Sequence, residues 1–310
     1  MRKPPRVQYL LEQGPLADIK RNKRNTERHL QYQWAYFSEL AHQRNQIHDQ
    51  IKEALVQSSV ANYEFTKWQR TVKWKYGLHP LSTVGSLTFV GGRFNAGVDI
   101  NPAVPSFPAL YLATDKDTAL QETFGQIPEG SRFTARELAL SNPQSEVTVS
   151  VSGQLEKVFD LRKAKNLRKF FGLIKSFKLS AGLKALARQI GAPPPTVVRD
   201  VNQLLETLLA KEWRIQPTNW DVPSNPQIFG HLVFQAGIEG ILYPSTLTSK
   251  DCLAVFPANF AVTSSFVSLD DEPPHANVPR RVDANNWRLC SLSPHELLDF
   301  AAVNKTDTPT

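Results

Sequence analysis

No glycine or proline falls between Pro15 and Gly77, although the whole chain carries 15 glycines and 22 prolines in 310 residues. Those two residue types most often end helices and strands, so their absence favours long regular structure. Inside the stretch, Leu30, Trp34, Phe37, Leu40, Ile47, Ile51 and Leu55 follow one another at helical steps that place them on one face. The spacing predicts one long helix or a helical pair, capped at Asn25 or Thr26. The polar, basic run KRNKRNTER at 20–28 reads as a loop or arm in front of it. Charge is concentrated here too. Residues 1–75 hold 14 Lys and Arg against 7 Asp and Glu, while the rest balances at 22 of each sign. Such a segment suits nucleic acid, anionic lipid or an acidic protein, and equally a solvated helix face.

Beyond Gly77 the pattern is mixed. SLTFV at 86–90, leading into GGRFN at 91–95, has strand character, and ALYLA at 109–113 reads as a short buried strand. DKDTALQETFG at 115–125 begins a helix with Asp115 or Asp117 as its cap. TARELALS at 134–141 and EVTVSVSG at 146–153 suit two strands, and KVFDL at 157–161 a third. Residues 162–214 turn helical. HLVFQAG at 231–237 predicts a helix ended by Gly237, followed by strands at IEGILYPS, 238–245, and CLAVF, 252–256. Strands and helices without regular alternation indicate an α+β fold with a mixed sheet. The expected organisation is a basic helical extension over 1–76, a catalytic domain over 77–265 with a helical insertion at about 162–212, and a C-terminal loop, short helix and tail over 266–310.

Other classes recede. The longest apolar run is well short of about 18 residues and the first residues lack a secretory pattern, so a cytoplasmic protein without a membrane span is expected. Cys252 and Cys290 read as reduced, buried thiols. The seven histidines show no HxxxH spacing, so no metal is expected, and no GxGxxG or Walker-type loop occurs.

Four polar residues stand where strands and helices should end: Arg93 after FVGG, Tyr111 inside ALYLA, Glu122 on the following helix, and Ser245 after ILYP. Singly each has a plain structural reading, as a turn arginine, a core aromatic, a solvated helix glutamate and a loop serine. Together with GGRFN at 91–95, LYLA at 110–113 and GIEGILYPS at 237–245, they resemble the RES domain, the toxin component of RES–Xre toxin–antitoxin pairs. VFDL at 158–161, Trp213 and CLAVFPANF at 252–260 fall in the same order, so the resemblance spans roughly residues 77–265. Two features depart from compact members of that family: the long VDINPAVPSFP loop at 98–108 and the expanded helical section between Leu161 and Trp213.

The resemblance implies a fold akin to ADP-ribosyltransferases, NAD as substrate rather than as a retained cofactor, and rupture of the nicotinamide–ribose bond. It also implies an Xre-like antitoxin partner and growth inhibition by NAD depletion. The residue chemistry suits such a substrate. A guanidinium matches diphosphate oxygens, so Arg93 beside Gly91 and Gly92 is a sensible anchor. Glu122 is the carboxylate expected to face the oxocarbenium-like ribose. Tyr111 and Ser245 would position the ribose or the amide, Phe94 would wall the pocket, Gly92 would let backbone approach the ligand, and Asn95 would chiefly fix the loop. Water as acceptor makes a glycohydrolase, phosphate a phosphorylase, and a protein side chain a mono-ADP-ribosyltransferase. A rival reading comes from residues 183–204, where Ala187, Gly191 and Val197 have helix-turn-helix offsets and a basic stretch lies upstream; a DNA-binding helix would then start at Thr196.

Overall fold

The computed structural model describes the backbone of residues 16–124 and 146–299, with side chains from residue 24 onward. The expected strand at 134–141 lies outside the described residues. Helices α1 (Leu16–Gln46) and α2 (His48–Val56) precede strand β1 (Val60–Lys73). Then come β2 (Gly91–Gly92), β3 (Asn95–Ala96), β4 (Leu110–Ala113), α3 (Lys116–Phe124) and β5 (Glu146–Asp160). Five helices follow, α4 (Arg168–Ile174), α5 (Ala181–Gln189), α6 (Val201–Leu208), α7 (Ile215–Trp220) and α8 (Asn225–Gln235). Strands β6 (Gly240–Pro244), β7 (Asp251–Val255), β8 (Phe266–Leu269) and β9 (Arg281–Val282) complete the order. The chain divides into two compact units, residues 1–43 with 177–197, and residues 44–176 with 198–310.

In the first unit, Tyr32 of α1 is buried with Leu183 and Ala187 of α5, and Tyr36 and Leu186 pack beside them. Ser180 caps α5 by accepting a hydrogen bond from the Leu183 N–H at 3.1 Å, and its own hydroxyl donates to the Glu39 carboxylate at 2.7 Å. The basic run at 20–28, expected as an arm, lies inside α1. Lys, Arg, Gln and Glu are among the better helix formers, and nothing there interrupts the helix. The helix expected from Thr196 starts instead at Val201, where the Asp200 carboxylate accepts the N–H groups of Asn202 and Gln203. Residues 192–199 carry no helix, so the short turn on which a helix-turn-helix depends is absent.

The second unit is built on a seven-stranded sheet of order β1-β4-β7-β6-β5-β8-β9, in which β1 also pairs with β5. The path β1-β4-β7-β6-β5 therefore closes on itself. Among the described strands only the β5–β6 pairing is parallel, Val158 opposite Gly240 through Asp160 opposite Leu242. This is the expected α+β class with a mixed sheet. Its core is aliphatic and aromatic, with Leu110, Leu112, Val151, Leu155, Leu253 and Phe260 all buried. Each such side chain contributes about 1.5–3 kcal/mol relative to exposure.

Three expectations for this unit need correcting. Strand β1 falls where helical structure was expected, and it joins the sheet from outside the expected 77–265 domain, as do β8 and β9 at the other end. A register shift between Phe65 and Trp68 breaks its alternation, so period two is hard to see in the sequence. EVTVSVSG and KVFDL are one strand, because burial alternates through Val151, Gly153 and Leu155 without a turn. SLTFV at 86–90 is not a strand. The carbonyls of Leu87, Phe89 and Val90 accept hydrogen bonds from Val98, Asp99 and Gly97, but Phe89 is left-handed at φ 54°, which folds the segment into a turn.

The parallel β5–β6 junction ends in an ion-pair cluster. The buried Asp160 carboxylate accepts from Arg162 Nε at 2.9 Å, and Arg162 also reaches Asp251 of β7. Burial alone pushes Asp160 upward, but the hydrogen bonds and charge of Arg162, with Lys163, outweigh it and hold the carboxyl below its usual range. A carboxyl lowered by folding stabilises above the unfolded value, about pH 4, and loses that contribution as pH falls through the lower folded value. Because Arg162 is a third exposed, Asp160→Asn is expected to cost about 1–2 kcal/mol at pH 7. Thermal unfolding of both proteins across pH 7 to 2 should show that gap closing at the acid end; a constant gap would exclude ionisation as its source.

Candidate active site

Strand β4 exposes alternate residues to opposite faces, so Leu110 and Leu112 enter the core while Tyr111 turns to a cavity. Asp115 caps α3 through the Thr118 N–H at 2.9 Å and sets the helix phase that brings Glu122 to the same cavity. Strands β2 and β3 form a minimal hairpin, Gly92 opposite Asn95, with Arg93 and Phe94 at its tip.

Asn95, fully buried, fastens that hairpin. Its carbonyl oxygen accepts from the Tyr111 hydroxyl at 2.8 Å and the Gly92 N–H at 3.2 Å, and its amide donates to the carbonyls of Ser86 and Phe107. The Phe94 N–H donates to the Tyr111 oxygen at 2.9 Å. Gln227 of α8 adds amide donation to the carbonyls of Val90, Gly92 and Asn95. Gly92 has to be glycine, since a Cβ there would sit 2.4 Å from the phenolic oxygen of Tyr111. Burial pushes the Tyr111 phenol far above its ordinary range, against the lesser pull of the Phe94 N–H, Arg93 and Arg214, so it stays protonated.

Glu122 accepts a hydrogen bond from Ser245 at 2.6 Å. The Ser245 oxygen in turn accepts the N–H groups of Leu247 and Thr248 at 3.1 and 3.2 Å. That polarises the hydroxyl toward the carboxylate. Arg93, 7% exposed, donates to the Ala210 carbonyl at 2.8 Å and to Thr246 at 3.1 Å, leaving further N–H donors for a ligand. The face of Trp213 carries two guanidinium groups, Arg214 at 4.5 Å and Arg93 at 6.0 Å from the ring centroid.

Arg93, Tyr111, Glu122 and Gly92 therefore line one cavity of about 260 Å³. Ser245, 3% exposed, reaches it only through Glu122. Phe94 and Asn95 lie behind its wall, both at 0% exposure, the Phe94 ring edge-on to Tyr243 at 4.8 Å. Sequence reasoning did not single out Arg70, Arg214 or Tyr243, which line the same space. Arg70 sat in the strand read as helix. Its guanidinium donates to the carbonyls of Pro80, Tyr111 and Ser82, and burial pushes its pKa down to about 10. Tyr243 lay within the quoted ILYPS run and could have been found from its place beside Ser245. Among the described residues Arg70, Lys73, Lys75, Arg93 and Arg214 face the cavity against the single carboxylate of Glu122, so this lining is cationic and suits an anionic ligand.

Cys252 and Cys290 are free, buried thiols. Among the described residues no group of three or more His, Cys, Asp or Glu is placed to hold a metal ion, and no helix is long and apolar enough to cross a membrane.

No protein-family model matches the chain, and no curated protein matches it. Among solved structures it is similar to the crystal structure of the M. tuberculosis MbcT–MbcA toxin–antitoxin complex. The identity is 14%, the TM-score 0.43, and the match covers 82% of this chain and 97% of that chain.

Proposed function

We propose that the protein cleaves the bond between nicotinamide and ribose in NAD, as a glycohydrolase or phosphorylase. The observation that carries this is the meeting of Arg93, Tyr111 and Glu122, from three separate stretches of sequence, in one cationic cavity. A diphosphate meets the free donors of Arg93, with the charges of Arg70 and Arg214 beside it. Glu122, held by Ser245, faces the ribose as positive charge develops on it. The breaking C1′–N bond leaves its electron pair on the ring nitrogen, so a cationic pyridinium departs as neutral nicotinamide without being protonated. Water, or phosphate, supplies the new pair to C1′, and an attacking water passes its extra proton to solvent. Tyr111, protonated and tied to Asn95, keeps the hairpin that carries Arg93 in register with Glu122.

The matched residues follow one another in the order of the RES domain, which the chain resembles. By that resemblance an NAD-depleting enzyme would arrest growth, and its tolerated partner would be an Xre-like antitoxin. Incubation of the purified protein with NAD should release nicotinamide. With inorganic phosphate omitted or added, ADP-ribose as the accompanying product identifies the hydrolase, its phosphate ester the phosphorylase, and modified protein a mono-ADP-ribosyltransferase; NAD left intact after prolonged incubation with phosphate present would sink the hydrolase and the phosphorylase.

A further inference from the structure

Part of the cavity lining is not used by the proposed bond cleavage. Residues 73–76 and 85–89 contribute Lys73, Lys75, Tyr76, Gly85, Thr88 and Phe89 to the lining. Phe89 is the unusual one. The residue is 69% exposed, and its backbone is left-handed at φ 54°, a conformation that costs a bulky side chain about 1–3 kcal/mol. The loop is nevertheless held in that shape. The Asp99 N–H donates to the Phe89 carbonyl at 3.2 Å, and the neighbouring Val98 N–H to Leu87 at 2.9 Å. The cross-loop bonds account for the backbone, and they leave the side chain exposed on the cavity lining.

Tyr76 is set differently. Its ring packs on Gly85, where a Cβ would come within 3.1 Å of Cε2, and Lys75 extends its ammonium over the same ring at 4.9 Å. Two aromatic rings and two ammonium groups thus share the lining of the cavity with Glu122. A planar heterocycle is recognised by aromatic faces, and the phosphates attached to it by nearby cations.

We propose that Phe89, with Tyr76 and Lys75, forms a specificity subsite for the base-and-phosphate end of the substrate, Phe89 stacking on the base. This rests on the reading of the cavity as a dinucleotide site. The subsite binds the part of the molecule that does not react, so it acts on KM and on the choice between a dinucleotide and a mononucleotide. A stack of this kind is worth roughly tenfold or more in affinity.

The test compares the wild type, Phe89→Ala and Phe89→Trp on NAD and on nicotinamide mononucleotide, which has the same scissile bond and no second base. Phe89 is exposed, so the variants keep the fold, checked by circular dichroism. Phe89→Ala is expected to raise KM for NAD about tenfold or more, leave kcat within about twofold, leave the mononucleotide unaffected, and be rescued by tryptophan. Equal changes for both substrates, or none for NAD, overturn the proposal. ADP titrated by calorimetry separates this from the activity itself. If the wild type cleaves neither substrate, the function reading fails, and the subsite stands or falls on whether Phe89→Ala weakens ADP binding.

Discussion

Glu122→Gln is expected to lower nicotinamide release by about 10²–10³-fold while KM for NAD changes little and the protein remains folded. Glutamine has nearly the same shape and can still accept the hydrogen bond from Ser245, 2.6 Å away. Only the negative charge goes. The substrate ribose is neutral before the bond breaks and cationic as it breaks, so the charge is felt mainly in the transition state. Glu122 is half-buried on α3, whose packing rests on Thr118, Ala119 and Leu120, and the substitution leaves that side untouched. Ser245→Ala should cost less, about tenfold, since the carboxylate stays and loses one charge-assisted donor. Steady-state release of nicotinamide, with unfolding midpoints measured on the same samples, checks both. A glutamine variant within tenfold of the wild type would remove the carboxylate from the chemistry.

The residues around Glu122 were legible because short signals located them: the LYLA strand, the aspartate cap of the next helix, and the double glycine of the hairpin. Asp115 caps where a capping aspartate was expected, and Leu110 through Ala113 is a strand. What the sequence concealed has two causes. The bulge between Phe65 and Trp68 destroyed the alternation of β1, and with it the place of Arg70, which the sequence did not single out and which is 7% exposed. Phe89 misled in the opposite sense. SLTFV has strand composition, but cross-loop bonds from Val98 and Asp99 impose a turn that local propensity does not encode. The alternating, β-branched run of β5 and its union with KVFDL depended on pairing along its whole length with β1, a long-range fact. The basic run at 20–28 shows the converse. Composition suggested an arm, whereas helix propensity without a breaker gives α1.

Gly230→Ala is expected to destabilise the protein by about 3 kcal/mol and to suppress nicotinamide release, although alanine in place of a mid-helix glycine ordinarily stabilises by about 1 kcal/mol. The reversal follows from what α8 touches. A Cβ at Gly230 would stand 1.9 Å from the Phe94 carbonyl oxygen and 2.8 Å from its Cα, all backbone atoms with no rotamer to relieve the clash. The helix itself has little freedom to retreat. Phe229 is 1% exposed and meets Phe159 and Phe170 edge-on, and Val233 is fully buried. The hairpin tip must therefore yield, and it carries Arg93 and the Phe94 N–H that holds Tyr111. Gly172→Ala on α4 supplies the contrast, because a Cβ there meets nothing within 4 Å and should stabilise slightly. Urea unfolding of the two variants beside the wild type decides the matter. Should Gly230→Ala unfold at the wild-type midpoint and retain wild-type turnover, close backbone contact between α8 and the hairpin cannot be what holds Arg93 and Tyr111 in place.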